Sequence, residues 1–211
     1  MTAKRVLAVN TVHEIVRGPT RYTAIDKRPV TGSVVVGELG LARDKQCDTR
    51  FHGGPDRALY AYAGEDSAWW SSELGREITP GLFGENLTTQ GLDITAALIG
   101  ERWRIGSRTT GVVVEVRMPR EPCSNLSARM GIRRFHQHFA QVGRPGAYLK
   151  VVTSGSIRTG DPVSIVDRPG HDVTIADAFR AEPEAMRRLL EAGTDLAEPL
   201  RKAAGRAVRR A

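Results

Sequence analysis

VVVEVRMPREPCSNL (112–126) sets a β-patterned run against two prolines, a cysteine and the start of a helix. Val112, Val114 and Val116 would share one face of a strand, and Glu115 and Arg117 the other. Pro119 and Pro122 make the strand end rigid, and Ser124 is a residue type that caps a helix. Cys123 therefore stands between a strand end and a helix, just behind Arg120. A thiolate can be stabilised and presented to a ligand at such a place. On these residues alone, metal coordination, attack on a substrate and simple filling of space all stay open for Cys123.

The β character extends outward from this stretch. RVLAVN (5–10), GSVVVG (32–37), RALYAYA (57–63), ERWRIG (101–106), GVVVEV (111–116), AYLKVV (147–152) and DPVSIV (161–166) are rich in Val, Ile and Tyr, and Gly, Pro or Asp bounds most of them. Two helices are predicted among them. One lies near 64–75, with Trp70 and Leu74 four apart, and one spans 124–142, with Ile132, Phe135, Phe139 and Val142 at helical spacing. Residues 18–29 read as a loop. After Arg168-Pro169-Gly170 the strand pattern stops, and Met186, Leu189 and Leu190 form one helical stripe, with Leu196, Leu200, Ala203 and Ala207 forming another. The expectation is a mostly β fold with added α structure: a barrel-like domain over 1–168, then a small three-helix unit over 172–211.

Composition narrows the function classes. With 40% hydrophobic and 26% charged residues in 211, the chain can bury a core and is not a disordered segment. Its net charge of +7 suggests nucleic acid until it is located. Arg201, Lys202, Arg206, Arg209 and Arg210 crowd the last eleven residues with no acid among them, so the rest is nearly balanced. A general polyanion-binding surface is not supported, whereas a pocket for one small anion is. The tail reads as a solvated helix face, with docking of an acidic electron-transfer partner as the alternative. Two cysteines make no disulfide framework. The N-terminus lacks the pattern of a secretory signal and no run is apolar enough to span a bilayer, so a cytoplasmic protein without membrane contact is expected.

Two further segments can carry chemistry. In RFHGGPDRALYAY (50–62), Gly53 and Gly54 let backbone amides approach an anion, His52 can donate a hydrogen bond, and Arg50 or Arg57 can add charge. A plain glycine turn capped by a histidine is the competing reading. In GLFGENLTTQGL (81–92), Asn86 can meet a ligand's donors and acceptors or brace a loop. His136 and His138 are two apart on a helical pattern and diverge, which argues against a His-x-His metal site. Cys47, among charged residues, is read as a small space-filling side chain. Nucleotide-binding glycine fingerprints, a GxSxG elbow and spaced Cys/His zinc sets are all missing from the sequence.

Taken in order, TAIDKRPV (23–30), GLARDKQCD (40–48), HGGPDRAL (52–59), FGENLTT (83–89), IGERWRIG (99–106), MPREPC (118–123) and GRPGAYLKV (143–151) resemble the MOSC domain family, the C-terminal domain superfamily of molybdenum-cofactor sulfurases, and within it the YiiM-like branch. VTIADAFRA (173–181) and RLLEAG (188–193) resemble the small three-helix unit of that branch. The resemblance implies a β-barrel and a molybdopterin-type molybdenum cofactor. It implies Cys123 as the catalytic residue and metal ligand, or as a carrier of sulfur. Lys27, Arg50, His52, Gly53, Gly54, Asp56, Arg57, Asn86 and Arg120 stand in the matching motifs as cofactor-binding candidates. The implied activity is reduction of N-hydroxylated compounds such as hydroxylaminopurine, with electrons from a separate reductase. A sulfur carrier using a Cys123 persulfide and a non-catalytic cofactor carrier are the alternatives. A homodimer is expected, stable nucleic-acid binding is not, and no pyridoxal phosphate is expected in a chain this short. Met118 and Asn125 stand where that branch usually has Gln and Lys, and Cys47 where alanine is common.

Overall fold

Val, Ile and Tyr at alternating positions suit a pleated surface buried on at least one face, and all seven segments read as strands form one. The computed structural model describes residues 3–47 and 53–210. In chain order the strands are β1 (Arg5–Arg17), β2 (Tyr22–Pro29), β3 (Val34–Gly37), β4 (Gly40–Leu41), β5 (Leu59–Ala63), β6 (Leu87–Gln90), β7 (Arg102–Ile105), β8 (Val112–Pro119), β9 (Ala147–Thr153), β10 (Gly155–Ile157) and β11 (Val163–Asp167). The helices are α1 (Gly64–Leu74), α2 (Ser124–Met130), α3 (Phe135–Val142), α4 (Ile175–Arg180), α5 (Pro183–Glu191) and α6 (Glu198–Arg210).

Eight strands form a mixed sheet in the order β11-β7-β8-β9-β5-β6-β1-β2, and β10, β3 and β4 form a small second sheet. The expected barrel is corrected here, because the main sheet does not close. Its edges are β11 and β2, and the start of β1 reaches the start of β11 only through an isolated bridge between Arg5 and Pro162.

Residues 18–29, expected as a loop, contain β2. This strand extends β1 through the pairs Asn10↔Pro29 to Arg17↔Tyr22. It escapes an apolar pattern because two of its four consecutive buried residues are Asp26 and Lys27. Both are compensated: Arg129 reaches Asp26 at 2.7 Å and Lys27 pairs with Asp44 at 2.5 Å. The helix expected over 124–142 is two helices. Gly131 and Arg134 take left-handed conformations, with φ of 66° and 58°, which end α2 and start α3.

Strand β5 is buried throughout and lies between β9, antiparallel, and β6, parallel. Helix α1 makes the crossover from β5 to β6. Its Trp70 is fully buried and stacks on Phe139 at 5.4 Å, with Phe83 and Phe135 edge-on and Tyr62 accepting its indole N–H at 3.0 Å. Rings placed edge-to-face in this way gain beyond their buried area. Thr174 and Asp177 form a capping box that starts α4. Ile175, Met186, Leu189, Leu196 and Leu200 then bring the C-terminal helices into the same hydrophobic core as the sheet. Among the described residues no helix is long and apolar enough to cross a membrane.

The turn before β6 is fixed by a buried acid. Glu85 accepts from Gly81 N–H at 2.6 Å, Phe83 N–H at 3.1 Å and the Thr88 hydroxyl at 2.9 Å. Gly81 has a φ of 86°, and a Cβ there would lie 2.5 Å from the Lys27 carbonyl oxygen, so the turn presses against β2. Burial raises the Glu85 carboxyl above its usual range in spite of the three donors. An acid with a raised native pKa gives stability that is complete below the unfolded value of 4.5 and is lost as pH climbs to the native value. Glu85→Gln does not titrate. The stability lead of wild type over this variant should therefore shrink as pH rises above 4.5 in urea denaturation, and a constant gap would contradict the assignment.

Candidate functional site

The end of β8 delivers the cysteine. Beyond Pro119 the chain passes through the buried Arg120, and Cys123, half-buried, is itself the N-cap of α2 with extended backbone. The expected cap, Ser124, is instead the first helical residue. Cys123 lines a cleft together with Lys27, Arg57, Tyr60, Arg120 and Tyr148.

Two tyrosines and two guanidinium groups make the wall beside the thiol. Tyr60 and Tyr148 are register partners on β5 and β9, with ring centroids 5.6 Å apart. Arg120 lies over the Tyr60 ring at 5.3 Å and Arg57 over the Tyr148 ring at 5.9 Å, distances at which a cation is attracted to the ring face. Desolvation raises both phenols above the ordinary tyrosine value, so they keep their protons. The Tyr60 hydroxyl donates to the Pro145 carbonyl at 2.8 Å. Arg120 is 5% exposed, yet its Nη1 has no hydrogen-bond partner. A buried guanidinium nitrogen without an acceptor is costly unless a ligand supplies one.

Lys27 and Asn86, which also line the cleft, are both held by Asp44. This carboxylate accepts from Val12 N–H at 2.8 Å, from Asn86 Nδ2 at 2.8 Å and from Lys27 Nζ at 2.5 Å to each oxygen. Burial lowers the Lys27 pKa, and Asp44 offsets part of the shift. Asn86 is committed as a brace, since its Oδ1 also accepts from Tyr60 N–H at 3.1 Å.

Of the residues expected in the site, Lys27, Arg57, Asn86, Arg120 and Cys123 line this one cleft. Asp56 points elsewhere and accepts from Arg117 Nε at 2.7 Å. It thereby braces the 3₁₀ turn Pro55–Arg57 from which Arg57 projects. Gly53 and Gly54 precede that turn, and Gly54 has a φ of 91°. Arg50 and His52 lie outside the described residues. Cys47, expected as space-filling, is exposed and lines the cleft. His136 bonds Ser127 Oγ at 2.7 Å and His138 packs on Trp70. The sequence reading missed Asp44, Tyr60 and Tyr148. Asp44 lies inside the GLARDKQCD segment, which was a usable signal, whereas the tyrosines look like ordinary strand core.

Comparison with known proteins follows this geometry. The family model for the MOSC domain matches residues 48–164, from the HGGPDRA turn to β11. The chain belongs to the MOSC domain family. Among MOSC relatives it is 34% identical to protein YiiM of Escherichia coli over 160 residues, 74% of this chain and 69% of that one. It is 32% identical to the uncharacterized protein YflK of Bacillus subtilis, covering 75% of this chain and 70% of that one. A protein of Gibberella moniliformis named a reductase is 31% identical over 70% of this chain, which spans 26% of that longer protein. The crystal structure of YiiM from Geobacillus stearothermophilus superposes with a TM-score of 0.78 at 26% identity, covering 97% of this chain and 98% of that one. That coverage takes in the C-terminal helices as well as the segment matched by the MOSC model.

Proposed function

We propose that the cleft binds a molybdenum cofactor with Cys123 as the protein's sulfur ligand, and that the protein reduces N-hydroxylated compounds such as hydroxylaminopurine. The orphaned Nη1 of Arg120 beside Cys123 carries this reading. A thiolate suits a soft metal centre, and a buried guanidinium with an open donor suits the phosphate of a pterin. The reductase name of one relative supports the class of chemistry.

The cofactor, when bound, supplies the two-electron redox step. This chain's residues do the rest. Arg120 and Arg57 hold negative charge, and the paired tyrosine rings, tilted at 50° to each other, give an apolar wall. Lys27 is kept in place by Asp44 and so fixes one rim. In the overall reaction R–NHOH takes up two electrons and two protons, the N–O bond breaks, and an amine and water leave. The proposed source of the electrons is a reductase partner.

The test is elemental and pterin analysis of the isolated protein, followed by assay of the loaded protein with a reductase and hydroxylaminopurine. Molybdenum and pterin near one per chain together with amine formation are expected. Cofactor-loaded protein that forms no amine from any N-hydroxylated substrate would overturn the reductase reading.

A further inference from the structure

A second groove, of about 700 Å³, also has Cys123 in its lining. It runs along Met118–Asn125 to α6, and Arg21, Arg57, Cys123, Asn125 and Tyr148 line both it and the first cleft. The thiol therefore stands where the two spaces meet. On α6, Glu198, Lys202 and Arg206 recur every fourth residue and face this groove, as one side of a helix must. Glu198 and Lys202 pair at 2.5 Å, both exposed, and largely cancel. Arg206 and Arg57 form no ion pair among the described residues. Glu121 adds one carboxylate to the lining. An extended ligand would thus find an aromatic ring beside the thiol and, on α6, a cation with no ion pair among the described residues.

We infer that this groove takes the phosphate of a nucleotide, so that the preferred substrate is an N-hydroxylated nucleobase carried as its nucleoside 5′-monophosphate. The base would lie by Tyr148 and Cys123, with its phosphate towards Arg206. The substrate rests on the reductase reading above, but the phosphate site does not. The cofactor's own phosphate has the same chemistry and is the other source to separate.

Adenosine 5′-monophosphate and adenosine are the binding probes, titrated calorimetrically into wild type, Arg206→Glu and Arg209→Glu. Arg209 does not line the groove and serves as a charge control. The monophosphate should bind wild type about tenfold tighter than adenosine, and Arg206→Glu should remove that margin while Arg209→Glu keeps it. In loaded protein, the ratio of kcat/KM for hydroxylaminopurine riboside monophosphate over the free base should fall by about the same factor in Arg206→Glu. Equal binding of the two probes by wild type overturns the phosphate site. Loss of pterin from Arg206→Glu with its nucleotide binding intact assigns the phosphate to the cofactor and overturns the substrate. Arg206-dependent nucleotide binding without any amine formation keeps the site and overturns the reductase reading alone.

Discussion

Cys123→Ala should abolish activity on N-hydroxylated substrates, a loss of at least about 10³-fold, because it removes the only proposed protein ligand to the metal. Cys123 is half-buried at a helix N-cap and its side chain supports no hydrogen bond of the cap. Its replacement should therefore leave the fold intact, and the melting temperature should move by no more than a few degrees. Molybdenum content should fall with activity. Cys123→Ser keeps the shape of the side chain but offers a harder oxygen, and it should fail in the same way. A loaded alanine variant that still forms amine would refute the assignment. Native wild-type protein carrying one extra sulfur atom on Cys123 by mass spectrometry, without molybdenum, would favour the sulfur-carrier role.

Asp44→Ala should produce the largest loss of stability, about 3–5 kcal/mol, because it leaves a charged lysine buried without its partner. Lys27 is 8% and Asp44 6% exposed at the side chain, and Val12 N–H and Asn86 Nδ2 lose an acceptor as well. Lys27→Met added to Asp44→Ala should recover much of that loss, since the orphaned cation is then gone. A double variant as unstable as the sum of the singles would show that the pair is not coupled. The pH dependence has a defined sign. Lys27 already has a native pKa below its unfolded value of 10.5. The cost of burying its charged form is complete below the native value and fades as pH rises towards 10.5. Asp44→Ala removes the offsetting carboxylate, so its stability should climb with pH in alkaline buffer more steeply than that of wild type.

Legibility in the sequence followed side-chain pattern. The seven β-branched segments read correctly because alternation and turn residues agree there. Strand β2 was hidden because Asp26 and Lys27 are buried against ion-pair partners that come from distant segments. The break between α2 and α3 was hidden because the Ile132–Phe139 periodicity continues across left-handed backbone at Gly131 and Arg134. The strand ending in prolines placed Cys123 and Arg120 together, but only the family resemblance singled them out as site candidates. Tyr60 and Tyr148 were not, since a tyrosine in a buried strand gives no sign that its partner across the register is a second tyrosine.

Arg117 links three parts of the chain at once. From β8 it reaches Asp56 at 2.7 Å in the turn that bears Arg57, and the Asp195 carbonyl at 2.6 Å between α5 and α6. The C-terminal helices are thus tied to the strand that ends at the thiol and to a cation beside it. The segment matched by the family model, 48–164, omits both β2, with Lys27, and the Asp195 anchor. A chain trimmed to that segment would keep the signature residues and lose one rim of the cleft with the brace behind the other. The candidate cleft therefore draws on more of the chain than the segment by which the family is recognised.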